Sequence, residues 1–207
     1  MRVDAAGTVE VVLPARAPAR AADEAVHELR AWIDARRRTL AEARSELAAS
    51  PGTVSYLGIP LRLSPEPGRI RAERRGNRLL VPDSDAAGAI EAFYRARARI
   101  EVSERLDDAC ARAGTGYSRL TIREQRTRWA SCSSQGAMSF NWRLLLAPAD
   151  VLDYVVEHEV CHLEVHDHSV RFWALLESRM PGWRQPAGWL KRYGPLLSAD
   201  SARRSAA

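Results

Sequence analysis

The chain has 207 residues, 46% of them hydrophobic and 28% charged, with a formal net charge of +5. That length supports a real hydrophobic core, and the balance excludes a disordered chain. No apolar run approaches a bilayer span, the N-terminus lacks a signal-like apolar core, and three scattered cysteines make no disulfide framework, so a cytoplasmic protein with no membrane association is expected.

In chain order, residues 8–13 alternate as a short strand that Pro14 ends. An Ala/Arg-rich helix follows over 23–47, with Val26, Leu29, Ile33 and Leu40 on one face and Trp32 beside it. Ser50, Pro51 and Gly52 break it. Strands are expected at 54–57, 61–63, 70–73 and 79–81, the last two joined by a turn at Gly76-Asn77. The cluster from Pro82 to Asp85 signals a helix start. Ile90, Tyr94, Val102, Leu106 and Cys110 form that helix's apolar stripe, and Gly114 stops it. Further strands are read at 119–125, 127–131 and 137–146, with a hairpin connection at 133–136. Pro148 opens a helix over 149–164, Ser169 caps another to Met180, and a short last helix spans 187–193. The organisation expected is an N-terminal strand–helix–strand region (1–82), a catalytic region (83–195) and a disordered tail (196–207).

The chemistry concentrates in one place. Of five histidines, four lie between 158 and 168. Residues 158–162 read HEVCH inside the helix that Val151, Leu152, Val155 and Val156 give an apolar face. Positions i and i+4 share a helix face, so His158 and His162 can reach one metal. Glu159, one residue round, can reach a metal-activated water without occupying a coordination position. Zinc acidifies that water, the glutamate takes its proton, and the hydroxide attacks a peptide carbonyl.

Catalytic zinc takes three protein ligands and keeps one position open. Candidates for the third are Glu164, His166, His168 and Glu177. His168 is favoured by ligand type and by the spacing HExxHxxxxxH, if the chain bends near 165–167. The related pattern with a central glycine has Val165 here, so the turn must be made differently. Glu177, on the following helix, is the rival, and His166 is one turn too far along. Cys161 points away from the histidine face and is expected to pack, as is Cys132.

Several ordered motifs then carry a resemblance: RTRWASCSS at 126–134, MSFNWRL at 138–144, LAP at 146–148, DYVVEHEVCHL at 153–163 and HSVRFW at 168–173. From about Val9 to Gly194 the chain resembles the YgjP-like metallopeptidase family, related to SprT-like and other zincin proteases. It departs from the family's usual residues at Ala130 and at Val160-Cys161. The resemblance implies an α+β fold with a zincin-like core, a small mixed or antiparallel sheet packed on an HExxH active-site helix. It implies Zn2+ held by His158, His162 and His168, Glu159 as base, and a protein or peptide substrate.

In such folds an edge strand receives the substrate as an added strand. The hairpin at 127–143 is expected to supply that edge, with Arg128 and Asn141 as candidate substrate or oxyanion contacts. The alternatives are a nucleic-acid-associated zinc protease, with Arg36, Arg37, Arg38, Arg71, Arg74 and Arg75 as a basic patch, and a zinc-binding interaction domain without turnover. Oligomeric state is not legible in the residues.

Overall fold

The computed structural model describes all residues except 19, 49, 126, 127 and 199–207. It is a mixed α/β structure with six α-helices and small mixed sheets among the described residues. No helix there is long and apolar enough to cross a membrane.

Strands β1 (Arg2–Val3) and β2 (Val9–Glu10) pair antiparallel. The long helix expected next is two, α1 (Arg20–Glu28) and α2 (Arg30–Glu46), parted at Leu29. Only the second half of the expected stripe faces inward: Ile33 and Leu40 are buried, whereas Val26, Leu29 and Trp32 are exposed. The basic residues do not all stand free. Arg37 donates to the Gly7 carbonyl, Arg74 lies over the Tyr56 ring, and Arg75 pairs with Glu73.

Strands β3 (Thr53–Tyr56), β4 (Ile59–Glu66), β5 (Glu73–Arg75) and β6 (Arg78–Pro82) form a sheet in the order β3-β4-β6-β5. The β3–β4 connection turns at Leu57 (φ 51°) and Gly58 (φ 83°). The Leu57 N–H donates to the Leu145 carbonyl at 2.7 Å, which holds a leucine in a conformation normally left to glycine. The Gly76-Asn77 turn joins β5 to β6 antiparallel as expected, but β5 begins only at Glu73, where the expected strand 70–73 ends, and Ile70 is exposed. The β4–β6 pairing is parallel.

Helix α3 (Ala86–Ala113) starts where the Asp85 carboxylate accepts from the Gly88 N–H, and ends at Gly114 in the left-handed region. Its expected stripe is buried throughout, with Ala98 and Ala109 added. A third sheet follows: β7 (Arg119–Arg123), β8 (Ala130–Cys132) and β9 (Ala137–Asn141), in the order β7-β9-β8. Part of the strand expected at 127–131 falls on residue 127, outside the described residues. β9 ends five residues early. The Asn141 side chain accepts from the Arg143 N–H and turns the chain into a buried 3₁₀ turn, Trp142–Leu146.

Helix α4 (Ala149–Cys161) presses Val151, Leu152, Val155, Val156 and Val160 into a core that also takes Leu61, Leu79, Ile90, Tyr94, Leu106, Phe140 and Trp142. Each such large apolar side chain contributes roughly 1.5–3 kcal/mol by leaving water. This core draws on residues from both sides of position 82. Helices α5 (Val170–Arg179) and α6 (Arg184–Ser198) close the fold. Here the structure corrects the expected tail. Pro195 lies inside α6, and Leu196 and Leu197 beyond it are buried, Leu196 against Val3, Ile33 and Leu40. Burying two leucines offsets the bond that a helical proline gives up. Residues 199–207 of that tail lie outside the described residues.

Candidate metal centre

Two turns of α4 carry the first part of the site. Residues 151, 152, 155, 156 and 160 point to the core, and His158, three residues on from Val155, stands half-buried at the rim of that face. The helix stops at Cys161, three residues earlier than expected, with His162 as its last residue in helical conformation. The His162 Nδ1 lies 3.0 Å from the Val165 carbonyl oxygen. An N–H there fixes the tautomer and turns the Nε2 lone pair outward. The bend is made by tightened turns: the Leu163 N–H donates to Val160, and the N–H groups of Glu164 and Val165 both donate to Cys161. No residue from 162 to 168 has a positive φ, so the turn needs no glycine at 165.

The bend returns His168 to the start of the motif. Its Nε2 stands 3.0 Å from the Nε2 of His158. One nitrogen from each of His158, His162 and His168 lies within 4.8 Å of the other two. Two nitrogens bound tetrahedrally at about 2.0–2.1 Å from a zinc ion would be separated by about 3.4 Å, so the cluster has the donors and nearly the spacing of such a site. Phe172 is fully buried beneath all three rings, stacked on His162 at 4.5 Å and edge-on to His158 and His168 at 4.8 Å. Burial, then the neighbouring imidazoles, pushes His158 down to about 3. His162 is lowered too, chiefly by burial. Both are thereby neutral at physiological pH, the form that binds a metal.

Glu159 is buried and turned toward β8. Burial pushes its carboxyl up to about 7, against the opposing pull of the Cys132 backbone N–H and the positive charge of Arg128. Its Oε2 is buried with no protein partner among the described residues, and so is the Nδ1 of His158. A poorly solvated carboxyl with a spare lone pair, on the residue next to His158, suits proton transfer.

The other candidate ligands are engaged elsewhere. The Glu177 carboxylate accepts from the Trp183 indole N–H at 2.8 Å and pairs with Arg184. Glu164 pairs with Arg179, and His166 is exposed and outside the cluster. Cys161 is fully buried, its sulfur 3.7 Å from an Arg179 nitrogen. Arg128 is exposed on the approach to the edge strand β8. Asn141 is spent inside the fold: its Nδ2 donates to the Gln125 carbonyl, its Oδ1 accepts from Arg143, and it is buried. Of the two expected substrate contacts, then, Arg128 alone is exposed.

Sequence reasoning missed an aromatic group beside the cluster. Tyr154, Trp173 and Trp183 stack near it, Tyr154 5.8 Å from His158 and Trp173 5.6 Å from His168, centroid to centroid. Tyr154 stands four residues before His158, and that i, i+4 spacing was the available signal.

A family model described as "YgjP-like, metallopeptidase domain" matches residues 1–193. Neither the curated proteins nor the solved structures gave a match.

Proposed function

The chain belongs to the YgjP-like metallopeptidase family, and from that premise we propose that it is a zinc-dependent peptidase with a zincin-like core. The observation that carries the reading is the convergence of three histidine nitrogens within 4.8 Å, with a buried carboxyl, Glu159, on the residue after the first of them. His158, His162 and His168 would hold the metal. When bound, zinc supplies Lewis acidity for water and for a carbonyl oxygen. Glu159 takes the proton of the attacking water and delivers it to the leaving amine. Its raised proton affinity suits both transfers near neutral pH.

The edge strand β8, apart from the Cys132 N–H that Glu159 takes, would offer its outer backbone groups to an extended peptide lying antiparallel or parallel to it across the site. Arg128, exposed beside that strand, meets the peptide or the developing negative charge. A cytoplasmic setting is supported by three free thiols, Cys110, Cys132 and Cys161.

The test is metal content with ligand variants. Purified protein should carry about one zinc per chain, on the ligand count above. His168→Ala should lose it, whereas Glu177→Ala should keep it. Retention of zinc by the first and loss by the second would transfer the third ligand to Glu177.

A further inference from the structure

Beside the histidine cluster stands a set of rings that the reaction itself does not use. Trp173 follows Phe172 directly but differs from it in burial: Phe172 is closed off beneath the histidines, while Trp173 stays half-open. Trp173 tilts against His168 at 5.6 Å and meets His158 at 6.2 Å. Trp183 stacks on Trp173 at 4.9 Å with planes 19° apart, and on Tyr154 at 6.1 Å with planes 12° apart. Tyr154 in turn meets His158 edge-on at 5.8 Å. The ring contacts therefore begin and end at the metal-binding residues. Tyr154, Trp173 and Trp183 are all half-buried.

The shelf is held before anything binds. The Trp183 indole N–H is committed to Glu177, and the Arg184 guanidinium pairs with the same carboxylate oxygen and lies 4.9 Å over the Trp183 ring. Trp183 thus has its donor satisfied, and with Trp173, Tyr154 and Arg184 over its ring it is still only half-buried. With Arg184 already on that ring, a lysine or arginine side chain would meet a like charge there. Consecutive Cα atoms are about 3.8 Å apart, so a peptide whose carbonyl lies at the histidine cluster brings a flanking side chain within reach of rings 5–6 Å away.

We propose that Tyr154, Trp173 and Trp183 form a specificity shelf that takes an apolar, preferentially aromatic, substrate side chain next to the bond to be cut. The inference rests on the peptidase reading above and deepens it. Aromatic pairs gain from edge-to-face as well as offset geometry, so the ring surface left open favours an aromatic partner, and Glu177 acts as the positioning residue that orients Trp183.

The test is binding to the full-length, zinc-loaded protein by calorimetry. The probes are two succinyl hydroxamates that differ only in a benzyl or a methyl side chain. The benzyl compound should bind about tenfold more tightly, a usual range for an apolar pocket. That preference should fall to about twofold or less in Trp173→Ala and in Trp183→Ala, with zinc content and methyl-probe affinity retained. Trp183 makes no ring contact with a histidine, so its variant serves if Trp173→Ala disturbs the metal. Equal affinity for the two probes with zinc bound, or a preference that survives Trp183→Ala, overturns the shelf alone. A protein that holds no zinc and binds neither probe overturns the peptidase reading and the shelf with it.

Discussion

Helix α4 buries two glutamates two residues apart, and its two faces treat them differently. Glu157 is 5% exposed and Glu159 6%, so both lose nearly the same contact with water. At about 100° per residue they lie on opposite sides of the helix. On one side the Arg112 guanidinium meets Glu157 at 3.0 Å. On the other, Glu159 has, among the described residues, one backbone N–H, a more distant arginine charge and an oxygen with no protein partner. Burying an ion is costly unless a partner offsets it. The fold supplies that partner where the carboxylate holds helices α3 and α4 together, and among the described residues it pairs no cation directly with Glu159. The contrast sets a carboxylate that braces the fold against the one proposed above as the base.

The strongest way to break this contrast is Glu159→Gln. It should retain zinc and fold as well as the parent, since it removes an uncompensated buried acid. Peptide hydrolysis should fall by about 10²–10⁴-fold, the usual contribution of a general base. Substantial turnover in that variant would return Glu159 to a structural role. Next comes Arg112→Ala, which leaves Glu157 buried without its cation. A loss of about 2 kcal/mol is expected in denaturant unfolding, below the 3–5 kcal/mol of a fully buried pair because Arg112 is itself 66% exposed. Glu157→Gln should cost less, about 1 kcal/mol, because the arginine it strands can turn to water. If the two variants are equally destabilised, the asymmetry of the pair has been misjudged. The smallest effect is expected from Arg128→Ala, a few-fold drop in kcat/KM with stability unchanged, since exposed charges act weakly across solvent. Unchanged turnover in a folded Arg128→Ala protein would remove its substrate role.

Much of the site could be read from residues alone, because its logic is local. The i, i+4 spacing of His158 and His162 needs only a helix, and Val151, Leu152, Val155 and Val156 announce one. The α3 stripe from Ile90 to Cys110 was equally plain, repeated over about six turns of a helix capped at both ends. What escaped depends on tertiary partners. The parallel pairing of β4 with β6 joins strands whose pattern looks alike in either direction. Asn141 carried the right chemistry for an oxyanion contact, yet the chain uses its amide to end β9 and start the buried turn. Gly194-Pro195 reads as a stop, and only the packing of Leu196 and Leu197 carries α6 past it. The return of His168 onto His158 rested on a bend that Val165 seemed ill suited to make. The structure makes it with a carbonyl, that of Val165 itself, held by the His162 ring.

The measurement that bears most directly on the account is native mass spectrometry of the purified chain and of Glu159→Gln, paired with a hydrolysis assay on the same samples. One zinc in each, with peptide cleavage in the parent only, is the expected result. A folded parent chain that takes up no zinc at neutral pH would contradict it.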